Sequence, residues 1–188
     1  MVYMRVFIAM DVSDEDTINN MMRVQREILR YAGNAKPTSR EQLHFTLMFI
    51  GDVSSAIVES IVDRLNRIDL RPVGVEYKGV GVFPSMSNAR IVWAGVDKSS
   101  ASVLKGIASE IEDRLRELGF RSDKEFVPHI TLLRIKDRAR DPNFVSVLNK
   151  YRDVVLGREV IRKIKVKRSD LFPTGPVYTD IAVIEARE

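Results

Sequence analysis

No cysteine occurs in the 188 residues, which hold only two histidines and one tryptophan. Without thiols there are no disulfides and no thiolate metal sites. Zinc takes three or four protein ligands at characteristic spacing. Two histidines with no His-Glu-x-x-His run leave only a mixed His/carboxylate site as a metal alternative, and the sequence implies neither metal nor cofactor. A Gly-x-Ser-x-Gly elbow is missing, and so is a Gly-x-x-x-x-Gly-Lys phosphate loop, which argues against a serine hydrolase and against ATP use. No stretch approaches the roughly 18 uninterrupted apolar residues of a membrane span. The run from Val6 to Met10 is too short for a secretory segment, and Asp11 closes it. A cytoplasmic chain with no membrane attachment and no obligate protein partner is the expectation.

What is present suits one domain, residues 1–188, built as two small lobes around a shared interface. The net charge of +4 is unevenly placed. From Arg134 onward 13 Lys/Arg face 8 Asp/Glu, whereas the remainder is −1. Most of that basicity lies in Arg162-Lys163-Ile164-Lys165-Val166-Lys167-Arg168. As a strand this run would line Lys163, Lys165 and Lys167 along one face. Such a stripe is either a charged, solvated strand face or a nucleic-acid contact.

Both histidines stand in one pattern, His-apolar-Thr-Leu, within Leu43-His44-Phe45-Thr46-Leu47-Met48-Phe49 and Pro128-His129-Ile130-Thr131-Leu132-Leu133. In a strand, residues i and i+2 share a face. His44 would project beside Thr46, with Phe45, Leu47 and Phe49 packing on the other side. His129 would project beside Thr131 over Ile130 and Leu132. One such histidine is most simply structural; two in the same four-residue pattern are not.

The flanks repeat as well. Arg5 to Val12 and Arg90 to Asp97 read as matching strands. Ser13 is placed to cap a helix whose stripe (Ile18, Met21, Met22, Ile28, Leu29) is interrupted by Gln25. Ser99 or Ser100 opens the corresponding helix of the second unit. After each His strand comes another helix, capped at Ser54 or Ser55 and at Asp141-Pro142. Extended segments then run from Val73 to Phe83 and from Val160 to Leu171, each closing in Phe-Pro. Residues 5 and 90, like 44 and 129, are 85 positions apart. Two tandem units, about 5–84 and 90–173, followed by a strand over 177–186, predict lobes around a pseudo-twofold axis with His44 facing His129 across a cleft.

Histidine titrates near neutrality, with an unperturbed pKa of about 6.5. Two rings flanking one phosphodiester can divide the chemistry: one takes a proton from attacking water, the other gives a proton to the leaving oxygen. Thr46 and Thr131 can donate to the non-bridging oxygens, where negative charge must be held.

These residues resemble the two-histidine (2H) phosphoesterases, and within them the RNA 2′,3′-cyclic phosphodiesterases long labelled 2′-5′ RNA ligases. RVFIAMDV, QLHFTLMFIGDV, GVGVFPS, ARIVWAGVD, FVPHITLLR and LFPTGPVY carry the resemblance over nearly the whole chain. It implies a bilobal α+β fold, with an antiparallel sheet in each lobe, helices on its outer face and the active site in the cleft between. It further implies hydrolysis of the 2′,3′-cyclic phosphate end of an RNA, with tRNA-derived or other small RNA as the expected substrate, to a 2′-phosphomonoester. In that scheme His44 is the proton donor, His129 the proton acceptor, and Thr46, Thr131 and Arg134 hold the phosphate. Arg134 stands five positions after His129, so an unbroken strand would turn it away; either a bulge re-aims it or it is a surface arginine. Phe83 and Tyr178 offer rings to a base, although packing is the simpler reading for both, and Trp93 reads as core. The alternatives are a reversible 2′-5′ RNA ligase, a non-catalytic RNA-binding module of the same fold, and a cyclic-nucleotide or ADP-ribose-derived substrate.

Overall fold

Each His strand pairs with the first strand of its own repeat, but the last strand of each repeat crosses to the other sheet. The computed structural model describes residues 3–139 and 141–188. Its strands are β1 (Tyr3–Asp11), β2 (Ala35–Pro37), β3 (His44–Ser54), β4 (Val73–Phe83), β5 (Ile91–Val96), β6 (Ile130–Ile135), β7 (Val155–Ile161), β8 (Lys163–Phe172) and β9 (Gly175–Glu185). The helices are α1 (Glu15–Leu29), α2 (Ser55–Leu65), α3 (Lys98–Leu115) and α4 (Asn143–Lys150). Two antiparallel sheets result, ordered β3-β1-β8-β9 and β2-β6-β5-β4-β7.

This α+β architecture has two sheets, as expected, yet the repeats do not each fold into their own lobe. β8, from the second repeat, lies against β1, and β4, from the first, lies against β5. The expected single strand from Val160 to Leu171 is also two strands. The chain leaves one sheet at Ile161 and joins the other at Lys163, with exposed Arg162 between them. The first five residues of β7 and the three-residue β2 have no counterpart in the sequence reading.

Local chemistry fixes the helices. Asp14, rather than Ser13, caps α1, its carboxylate accepting from Thr17 N at 2.8 Å. The Thr17 hydroxyl, donating to the same carboxylate at 2.6 Å, and this amide hold the Asp14 carboxyl below the usual carboxylate range. Asp97 caps α3 in the same way, accepting from Ser99 N and Ser100 N. Carboxylates at these positions satisfy free amides and favour the helix dipole. Ser13 instead donates to Glu159 at 2.6 Å. Gln25 is buried within the α1 stripe because its amide donates to the carbonyls of Thr38 (2.7 Å) and Leu132 (2.8 Å), tying the helix to β6. Buried amides need such partners. α1 lies over β6 and β7, and α2 and α3 lie against β3.

A single apolar core joins the two sheets, and Phe45 of β3 stacks on Tyr77 of β4 with ring centroids 5.7 Å apart. Phe45, Leu47, Ile130 and Leu132 all lie in it, so the faces carrying His44 and His129 are left for the cleft. No helix among the described residues is long and apolar enough to cross a membrane.

Candidate active site

The first residue of β3 and the residue preceding β6 are the two histidines. His44 Nδ1 lies 2.7 Å from the carbonyl of Gln42, and His129 Nδ1 lies 2.7 Å from the carbonyl of Val127. A carbonyl only accepts, so Nδ1–H donates in both rings and Nε2 is left for chemistry. The device repeats at the same offset as the histidines, using the backbone two residues upstream. In the first site Nε2 also meets Thr46 Oγ1 at 3.1 Å.

Aromatic edges fix the ring planes. Tyr178 stands perpendicular to His44 at 5.4 Å, and Phe7 is tilted against it at 5.3 Å. Phe83 stands perpendicular to His129 at 5.0 Å, with Trp93 beyond it at 6.5 Å. Phe83 and Tyr178 therefore pack against the histidines. Trp93 is a correction: it is half-buried on the cleft face of its sheet rather than in the core.

A bulge lies in each His strand. Against β1, Met48 is opposite Ile8 and Thr46 opposite Ala9, leaving Leu47 over. Against β5, Leu133 is opposite Val92 and Thr131 opposite Trp93, leaving Leu132 over. The extra residue lets two consecutive side chains enter the core and returns the next one to the cleft. The burial patterns match: Leu47 and Met48 are buried and Phe49 exposed, Leu132 and Leu133 buried and Arg134 exposed. Arg134 thus faces the same side as Thr131. Phe49, expected on the packing side, is turned outward and 61% exposed.

His44, Thr46, His129, Thr131 and Arg134 all line one recess of about 230 Å³, together with Phe49, Lys36 and Tyr178. Sequence reasoning missed Phe49 and Lys36. The mirrored spacing of Phe49 and Arg134 was a usable signal for the first; Lys36 reaches the site only because β2 pairs with β6, opposite Arg134.

Burial pushes both imidazoles below their ordinary range. For His44 the Gln42 carbonyl and the Asp11 carboxylate oppose that shift, while Lys167 and Arg134 add to it. For His129 only the Val127 carbonyl opposes, and Arg134 adds to the lowering. Asp11, opposite His44 in register, belongs to a four-charge network. Lys165 Nζ lies 2.8 Å from Asp11 and 2.7 Å from Asp180; Lys167 Nζ lies 3.1 Å and 2.6 Å from the same carboxylates. Lys163 pairs with Glu185 at 3.1 Å. The expected cationic stripe is therefore neutralised by its own sheet. Among the described residues no group of three or more His, Asp or Glu is placed to hold a metal ion.

Two imidazoles whose Nε2 atoms are not taken by the backbone, two hydroxyls and a guanidinium around one recess can exchange protons with an anionic ester while holding its charge. Residues 5–185 match the family described as the AKAP7 2′5′ RNA ligase-like domain. A relative named RNA 2′,3′-cyclic phosphodiesterase in Archaeoglobus fulgidus is 34% identical, covering 97% of this chain and 100% of its own. Another of that name in Aeropyrum pernix is 34% identical over 90% of this chain and 96% of its own. The crystal structure of apo E. coli LigT superposes with a TM-score of 0.79 at 20% identity, covering 100% of both chains, and so shares the fold. With its duplicated His strands and its match along almost the whole length, the chain belongs to the 2′5′ RNA ligase-like family of enzymes whose relatives include the RNA 2′,3′-cyclic phosphodiesterases.

Proposed function

We propose that this protein hydrolyses 2′,3′-cyclic phosphate ends of RNA to 2′-phosphomonoesters by general acid–base catalysis. The observation that carries the reading is the single recess lined by both histidines, each with Nδ1 engaged by a backbone carbonyl. His129, with no carboxylate acting on it, is suited to rest neutral and take the proton of the attacking water. His44, with Asp11 opposing the effect of burial, is suited to carry the proton given to the departing 3′ oxygen. Thr46, Thr131 and Arg134 hold the non-bridging oxygens as charge builds on them. The exposed ring of Phe49 offers a stacking face to the terminal base. Residues 1–188 act as one domain in this reading, which is supported by the core that spans both sheets. The expected substrates are tRNA-derived or other small RNA ends in the cytoplasm.

The test is hydrolysis of an oligoribonucleotide carrying a 2′,3′-cyclic phosphate. His44→Ala and His129→Ala should each lower kcat by about 10²–10⁴-fold, the range for loss of a positioned acid or base. The kcat/KM profile of the unmodified protein should be bell-shaped in pH. Undiminished turnover in either variant, or a 3′-phosphate product, overturns the scheme.

A further inference from the structure

The recess holds one nucleotide end, and an RNA substrate continues from it in the 5′ direction. Beyond Arg134 the sheet edge leads into a second recess of about 570 Å³, where Arg30, Arg90, Lys136 and Arg138 converge. It adjoins the first along the β2–β6 pair. Lys36 is opposite Arg134, and one step further Lys136 N donates to the carbonyl of Asn34 at 2.8 Å. Two residues of strand separate Arg134 from Lys136, about 7 Å at ordinary strand rise.

We infer that this second recess binds the phosphates of the RNA strand just upstream of its cyclic end. The inference rests on the RNA-end reading above. Two observations carry it. First, four cations from separate parts of the chain converge on one recess, and none of them forms an ion pair with a carboxylate among the described residues. Second, the two acids present, Asp137 and Asp141, are held by neutral amides, the Asn34 side chain at 2.9 Å and Asn143 N at 2.8 Å, rather than by the four cations, which outnumber them in the lining. Arg90 is braced by donating to the carbonyl of Lys136 at 2.8 Å. Unpaired cations gathered at one place are suited to a polyanion. The lysine stripe of β8 is the poorer candidate, since Asp11, Asp180 and Glu185 neutralise it.

The experiment uses the full chain and two substrates, an oligoribonucleotide and a mononucleotide, each with a 2′,3′-cyclic phosphate. The double variant Lys136→Ala/Arg138→Ala should lose about tenfold in kcat/KM on the oligonucleotide and be unchanged on the mononucleotide. Anisotropy titration of an oligoribonucleotide ending in a 2′-phosphate gives an independent reading. There the variant should flatten the log–log salt slope by about 1.4, two single-strand phosphate contacts. The exchange Lys136→Arg/Arg138→Lys should retain both properties. An equal loss on both substrates, or an unchanged salt slope, overturns the inference. If the unmodified protein turns over neither substrate while the variant still loses salt-dependent RNA binding, the hydrolytic reading falls and the recess stands.

Discussion

The two halves of the cleft share a backbone and differ in what covers it. Beside His44, Ala9 is opposite Thr46 on one side and Lys165 on the other. Beside His129 the same place in the ladder is held by Trp93, opposite Thr131 and Gly81. One half thus sets a small residue under a long, charged side chain, and the other sets a large indole over a glycine. A Cβ on Gly81 would fall 2.3 Å from the Trp93 ring. The volumes balance while the chemistry diverges. Aromatic rings flank both histidines, but only His44 also borders a network of two lysines and two aspartates. Equivalent bulges likewise present Phe49 in one half and Arg134 in the other. A duplicated frame has become an asymmetric site through substitutions at matched positions.

Within this comparison the largest expected effect comes from the bulge pair. Arg134→Ala should lower kcat by about 10²–10³-fold on mononucleotide and oligonucleotide alike, as loss of a charge-holding donor does. Phe49→Ala should cost about tenfold in kcat/KM, within the range of one base stack, and Phe49→Trp should restore it. Similar losses with similar kinetics from both would break the contrast between a charge holder and a base platform. Gly81→Ala comes next. Its methyl displaces the Trp93 indole, and overpacking of this kind costs about 1–3 kcal/mol, visible as a lowered Tm. A Trp93→Ala change in that background should recover part of the loss, since the two residues are coupled by contact; simple additivity would show that the glycine is not there for the ring.

The smallest effect tests the charge floor. Asp11→Asn removes a carboxylate that favours protonated His44. The folded pKa of His44 then falls further, the protonated acid is lost at lower pH, and the alkaline limb of kcat/KM moves to lower pH. The acid limb, set by His129, should stay in place. A shift of the acid limb instead would reverse the assignment of the two rings.

Much of this was legible in the residues because period-two alternation is strong where one face is buried. It set His44 with Thr46 and His129 with Thr131, and it found β4 and β9 nearly to the residue. Alternation fails where its count is interrupted. Leu47 and Leu132 are apolar like their neighbours, so nothing in the sequence marks them as bulges, and the sides taken by Phe49 and Arg134 were hidden. The exchange of β4 and β8 was equally invisible, because a strand's own sequence carries little information about which neighbour it joins. No glycine or proline separates Ile161 from Lys163, so the passage between sheets looked like continuous strand. At the helix starts serine and aspartate compete, and tertiary contact decided: Glu159 took Ser13 and left the cap to Asp14.

The crossing of β4 and β8 has a consequence for lineage. A lone half would leave its first strand without a flanking neighbour, and a second identical half could supply it by reciprocal exchange. Such an ancestral pair would be bound by symmetry to carry the same side chain at both bulges, two phenylalanines or two arginines. Joining the halves in one polypeptide releases that constraint while keeping the embrace. Only then can matched positions hold a phenylalanine on one side and an arginine on the other.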